Sequence, residues 1–213
     1  RVVIAGGGTA GWMAAAALSK IMGKALDITL VESEEIGAIG VGEATIPTLL
    51  NYNRYLGIDE QEFMAATKAT FKLGIEFENW KEKGHSYIHS FGITGKDHWT
   101  AGFQHFWKRG LETGIDNDFG DYCLELVAAQ QNKFAHLPKL GMNYAYHVDA
   151  TRYARFLRKM SEEHGGKRVE GKIVSVGQNT ETGFVESLTL GSGKTVEGDL
   201  FLDCTGFRAL LIE

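Results

Sequence analysis

Arg1-Val2-Val3-Ile4-Ala5 runs into Gly6-Gly7-Gly8-Thr9-Ala10-Gly11 and then an alanine-rich stretch, so an apolar strand breaks into a G-x-G-x-x-G turn that opens a helix. Gly6 permits the tight turn, Gly8 lets the backbone approach a pyrophosphate, and Gly11 lets the helix pack closely on the sheet. The free N–H groups and positive end of the helix then face the two phosphates of a dinucleotide. The elements after the turn come in the matching order: a helix over Trp12 to Ile21, an apolar strand over Leu26 to Val31, and Glu32, 26 positions after Gly6. A carboxylate at the end of that second strand accepts both ribose hydroxyls of an adenosine. Ser33 adjoins it, and no basic residue that would suit a 2′-phosphate comes next in sequence.

A glycine-rich turn alone is weak evidence, so the rest of the chain has to agree with it. Its 213 residues, 44% hydrophobic and 23% charged, are enough for a substantial core and exclude disordered and fibrous classes. A net charge of −5 without any basic run offers no electrostatic footprint for nucleic acid or an anionic membrane. No apolar run approaches the roughly 18–20 residues needed to span a bilayer, so a cytoplasmic protein acting on small molecules is expected. Cys123 and Cys204 lie 81 positions apart with no C-x-x-C partner, which suggests two buried small apolar groups and neither a disulfide framework nor a zinc site. The chain starts inside a strand and stops just after a strand and a glycine turn, as a fragment of a longer protein would.

After Glu32, the segment Gly37 to Pro47 is too rich in glycine for regular structure and too apolar for an idle surface loop, so it reads as a strap lying against a ligand or as a compact connector. Helical spacing covers Thr48 to Leu56 and Asp59 to Thr67, the second capped by Asp59 with Glu62 three residues on. Ala69 to Trp80 then alternates. Phe71, Leu73, Ile75 and Phe77 point one way while Lys72, Gly74, Glu76 and Glu78 point the other, and by alternation alone Lys72 is a solvated edge-strand lysine.

Between Trp80 and Trp107, aromatic residues and histidines crowd together. His85 and His89 are four apart, but Gly84 and the intervening Ser-Tyr-Ile argue against a helix presenting both to a metal. Asp149 to His164 reads as one amphipathic helix, followed by strands over Arg168 to Val176, Phe184 to Leu190 and Leu200 to Asp203. Turns at 180–183 and 191–194 make these a three-stranded meander whose last strand returns to the nucleotide-binding sheet. Asp203-Cys204-Thr205-Gly206 falls at that strand's C-terminal end, where open α/β sheets bind ligands.

Four segments together resemble the flavin-dependent halogenases of the tryptophan-halogenase type: Gly6 to Met13, Gly40 to Pro47, Thr70 to Ile75 with Asn79-Trp80, and Asp199 to Phe207. Other flavoprotein monooxygenases share the first and roughly the last of these, but not the middle two. The resemblance implies an α/β, Rossmann-like FAD-binding fold of the flavin monooxygenase type, with a three-stranded β-meander and an inserted helical and aromatic region at 81–148. It implies that residues 1–213 are the FAD-binding portion of a longer halogenase, whose tryptophan-rich signature, catalytic glutamate, halide site and most of whose substrate-binding part lie beyond them.

The implied chemistry uses FAD reduced by a separate flavin reductase, oxygen, and chloride or bromide. Hypohalous acid would pass through a tunnel to a small electron-rich aromatic substrate. Gly8, Thr9, Ala10 and Gly11 would hold the pyrophosphate and Glu32 the ribose, while Ile39, Val41 and Ala44 would belong to the strap along the flavin. Val169 would meet the adenine, Thr205-Gly206 would close over the cofactor, and Lys72 would be the catalytic lysine. An ammonium polarises hypohalous acid, and a neutral amine can be halogenated by it. Two readings compete: an aromatic hydroxylase, which needs no Lys72, and an inactive FAD-binding module.

Overall fold

Val2, Val3, Ile4 and Ala5 are buried along their whole length, as a β-branched run in a sheet covered on both faces requires. They form β1 (Val2–Ala5), the first of twelve strands in a computed structural model that describes residues 1–36, 42–136 and 141–212. The chain continues through α1 (Thr9–Met22), β2 (Ile28–Glu32), β3 (Gly42–Ala44), α2 (Thr48–Tyr55), α3 (Glu60–Thr67), β4 (Thr70–Lys72), β5 (Gly74–Glu78), β6 (Ser86–Ser90), α4 (Phe103–Glu112) and α5 (Leu124–Gln130). It ends with β7 (Ala145–Asp149), α6 (Ala150–Glu163), β8 (Lys167–Glu170), β9 (Ile173–Gln178), β10 (Val185–Leu190), β11 (Thr195–Glu197) and β12 (Leu200–Asp203). Two compact units result, one of residues 1–43, 53–69 and 148–213, the other of residues 44–52 and 70–147.

The first unit is a Rossmann-like framework. Its parallel sheet has the order β12-β1-β2-β8, with Val3 opposite Thr29 on one side and Phe201 on the other. Parallel neighbours need long crossovers, which the helices supply: α1 joins β1 to β2, and α6 leads into β8. α1 packs on α6, each burying small residues, Ala15 and Ala16 on α1 and Ala150 and Ala154 on α6, with the buried hydroxyls of Ser19 and Ser161 3.2 Å apart. The antiparallel sheet β11-β10-β9 adds its own layer: Leu188, Leu190 and Val196 pack on Val3, Ala5 and Val31. Each fully buried leucine there stabilises the fold by roughly 1.5–3 kcal/mol.

The meander is therefore present, but its membership differs from the sequence expectation. The stretch 168–176 breaks at Gly171, whose φ of +152° sends β8 into the parallel sheet and β9 into the meander, and Thr195–Glu197 supplies the third strand. Asp59 caps α3 as expected, its side chain accepting from Glu62 N–H at 2.9 Å.

In the second unit the alternating stretch 69–80 is also two strands. β4 pairs with β7, and β5 forms a hairpin with β6, the break falling at Leu73. The aromatics make several clusters, one of them Phe77 with Trp80 and Tyr87. Phe71 stacks on Phe134 at 3.7 Å and meets Tyr144 edge-on, while Phe103 and Trp107 pack α4 against Phe119 and Tyr122. Trp80 and Trp99 lie on the surface. Cys123 is buried and Cys204 half-buried, both as free thiols. Among the described residues no helix is long and apolar enough to cross a membrane.

Candidate functional site

The order β12-β1-β2-β8 reverses direction between β1 and β12, and the glycine turn lies at the C-terminal ends of those two strands. Such a switch point is where open α/β sheets bind ligands. Gly6 has φ +107°, its N–H donates to Val31 O at 2.8 Å, and a Cβ on it would overlap the carbonyl of Cys204. A Cβ on Gly11 would overlap the carbonyl of Gly6, and one on Gly7 the carboxylate of Glu32. Gly8 differs from these three, because no protein heavy atom lies within 4 Å of where its Cβ would stand. Open space at Gly8 beside the start of α1 is what an approaching phosphate requires.

Gly8 is also the N-cap of α1, and it supplies no side-chain cap; the first turn, which includes Thr9 and Ala10, has no acidic residue. The intrahelical bonds begin with Trp12 N–H to Gly8 O at 3.1 Å. The positive end of the helix is thus left for an anion. At the end of β12, Asp203 is consumed inside its own turn. Its carboxylate accepts from Thr205 N–H at 2.9 Å, from the Thr205 hydroxyl at 2.6 Å and from Leu211 N–H at 2.9 Å. Burial works against the charge, but these donors outweigh it and hold the carboxyl below its ordinary range. The network fixes Thr205 and Gly206, the latter with φ +66°, beside the glycine turn.

Glu32 ends β2 with both oxygens engaged. Trp12 Nε1 donates to Oε2 at 3.1 Å, and Arg168 Nε donates to Oε1. Arg168 also meets Glu34 and Glu170, and Arg158 lies 3.9 Å from Glu32. Basic residues therefore do stand beside Glu32, contrary to the expectation from its neighbours in sequence: they arrive from α6 and from β8, the parallel neighbour of β2. Each carboxylate oxygen has two lone pairs, so acceptor capacity remains for ribose hydroxyls. Ser33 is occupied locally, its hydroxyl accepting from Glu35 N–H. Val169 sits opposite Val31 with its side chain against the meander core.

The cradle, the unneutralised helix end and the carboxylate fit the pyrophosphate and adenosine of a dinucleotide. Ile39 and Val41 lie outside the described residues, and Ala44, at the end of β3, is exposed.

In the second unit, Lys72 is 6% exposed, so it is not the solvated lysine that alternation implies. β7 covers it from the side, with Lys72 opposite Ala145 and Thr70 opposite His147. Its ammonium donates to the backbone carbonyl of Thr45 at 2.9 Å and stands 5.4 Å from the ring of Phe91. Among the described residues no carboxylate forms an ion pair with it. Burial without a counter-charge pushes its pKa down from the usual lysine value. A cavity of 370 Å³ opens on Lys72, walled also by Phe71, Phe134, Lys133, Glu76 and His147. Burial, and then the charge of Lys72, push His147 down too. Sequence alone gives Trp12, Arg168, Phe91 and His147 no role in a site, and all four meet their partners through tertiary contacts.

The sequence model of the tryptophan halogenase family matches residues 1–213. The 7-chloro-L-tryptophan 6-halogenase KtzR of Kutzneria sp. (strain 744) is 37% identical, the match covering 99% of this chain and 45% of that protein. A flavin-dependent halogenase from Xanthomonas campestris is 66% identical with a TM-score of 0.94, over 100% of this chain and 43% of that one. The flavin-dependent halogenase BrvH from Brevundimonas sp. BAL3 is 41% identical with a TM-score of 0.87, over 99% and 43%. The chain thus spans under half the length of the proteins it matches.

Proposed function

Because this chain belongs to the tryptophan halogenase family, we propose that it is the flavin-binding, lysine-bearing portion of an FAD-dependent halogenase acting on a small electron-rich aromatic, tryptophan or indole-like. Bound reduced FAD supplies, with oxygen, the oxidising equivalent that turns chloride or bromide into hypohalous acid. The N–H groups of Gly8, Thr9, Ala10 and Gly11 would hold the pyrophosphate, Glu32 the ribose, and the Thr205-Gly206 turn the space above. Ile39, Val41 and Ala44 are assigned to the flavin strap, Val169 to the adenine side, and residues 81–148 to an insertion in the flavin-binding framework. A flavin reductase serves as the electron source, and two free cysteines suit a cytoplasmic setting.

The observation that carries this reading is Lys72, buried at a cavity and, among the described residues, in no ion pair. One of its three N–H bonds goes to Thr45 O, which leaves two for the oxygen of hypohalous acid. Those bonds stabilise hydroxide character on that oxygen and make the halogen electrophilic. When the aromatic carbon takes the halogen, the O–X bond breaks, a lysine proton completes water, and the ring proton returns the amine to ammonium. A depressed pKa also enlarges the neutral fraction, and the amine can take the halogen itself with loss of water before passing it to the ring. Both routes retain the oxidant beside the substrate. A hydroxylase has no use for this lysine, which weighs against that alternative.

The test offers the full-length protein a panel of indoles with FAD, a flavin reductase and each halide, and identifies products by mass. Halogenated product is expected. Hydroxylated product, or flavin turnover without either, would refute the reading.

A further inference from the structure

We propose that Trp12 and Arg168 are positioning residues that preset the Glu32 carboxylate for an adenosine ribose, an inference that rests on reading this site as the flavin's adenosine end. A glutamate side chain free at a strand end loses rotamer freedom when a ligand immobilises it. Here the protein imposes that order beforehand. Trp12 Nε1 holds Oε2 at 3.1 Å, and Arg168 Nε holds Oε1.

Neither donor is free to wander. Trp12 is 2% exposed on the buried face of α1, and Arg168 is held at once by Glu32, Glu34 and Glu170. From below, Gly7 lacks the Cβ that would overlap the carboxylate, so Glu32 lies directly over the glycine turn. Turn, helix and two strands therefore converge on one side chain. With one donor bound to each oxygen, one lone pair per oxygen remains, which matches the two adjacent hydroxyls of a ribose.

The arrangement also sets which ribose is accepted. Three carboxylates, Glu32, Glu34 and Glu170, surround the guanidinium of Arg168, with Arg158 at 3.9 Å from Glu32. The carboxylates outnumber the two guanidiniums, and Arg168 is already committed to them. Arg158 is bonded to Glu162, so among the described residues a 2′-phosphate would find both nearby guanidiniums engaged and would meet Glu32 instead.

The experiment measures equilibrium binding of two ligands to the full-length protein: FAD, and an FAD analogue whose adenosine lacks both ribose hydroxyls. Trp12→Phe removes one donor while keeping an aromatic ring, and Arg168→Lys keeps the charge without the Nε–H. Each should weaken FAD about 5–10-fold, leave the analogue within about twofold, and add nothing once Glu32→Gln is present. Equal losses for both ligands would mean a merely structural role and overturn the proposal, as would unchanged FAD affinity. If Trp12→Phe does not fold, Arg168→Lys alone decides. A wild-type protein that binds neither ligand would refute the flavin reading itself, an outcome separate from failure of the clamp.

Discussion

The end of the parallel sheet and the cavity around Lys72 treat buried polarity in opposite ways. At the sheet end Asp203 accepts three hydrogen bonds within its own turn, Glu32 has a donor on each oxygen, and Arg168 meets three carboxylates. Lys72 is more buried than any of these, yet its one hydrogen bond among the described residues goes to a neutral carbonyl. A fully partnered network is rigid and keeps a ligand in one pose, whereas an ammonium with donors to spare remains reactive. On the proposed function, the difference would separate holding a cofactor from handling an oxidant.

If the sheet end is rigid because its parts interlock, Gly6→Val should have the largest effect. The side chain would need φ +107° and would overlap Cys204 O, so a loss of about 3–5 kcal/mol and failure to accumulate folded protein are expected. Chemical denaturation monitored by circular dichroism measures this, and a native-like midpoint would break the comparison.

Asp203→Ala should cost less, about 2–4 kcal/mol, since it strands three donors. The carboxyl is depressed in the fold, so its contribution is present above its ordinary value of 3.8 and is lost as pH falls through its lower folded value. The destabilisation by Asp203→Ala, read from thermal melts across pH, should therefore be constant near neutrality and shrink only below that range.

Lys72→Met should move stability the other way. The folded lysine is depressed below its ordinary 10.5, so charging it disfavours the fold in full below the folded value, and the penalty is relieved as pH rises towards 10.5. Near neutral pH the variant should be more stable by about 1 kcal/mol, roughly 2–4 °C in melting temperature, and the gain should fade in alkali. A lower melting temperature would mean that Lys72 is held as firmly as the sheet-end groups.

Local patterns carried the β1–turn–α1 start, the Asp59 cap and the meander turns, because a strand, a cap or a hairpin is decided by residues a few positions apart. The environment of Lys72 was not legible in that way. Alternation set its side, but Thr45 comes from 27 positions away and β7 from beyond residue 140, and these bury what alternation left in water. Arg168 is likewise 136 positions from Glu32, and only the parallel pairing of β2 with β8 brings it there. The single strand expected over 168–176 failed at Gly171, where the apolar pattern runs on across a change of sheet.

The separation of holding from handling is tested most directly by the yield of halogenated product per reduced FAD oxidised, measured for wild type, Lys72→Ala and Gly8→Val in the full-length protein. Lys72→Ala should bind and reoxidise FAD at near wild-type rates while product falls at least about a hundredfold, as for loss of an essential catalytic group. Gly8→Val should stay folded but lose FAD affinity, and with bound flavin restored by excess its yield per flavin should recover. Comparable product from a folded, FAD-loaded Lys72→Ala would contradict that separation and return Lys72 to a structural lysine.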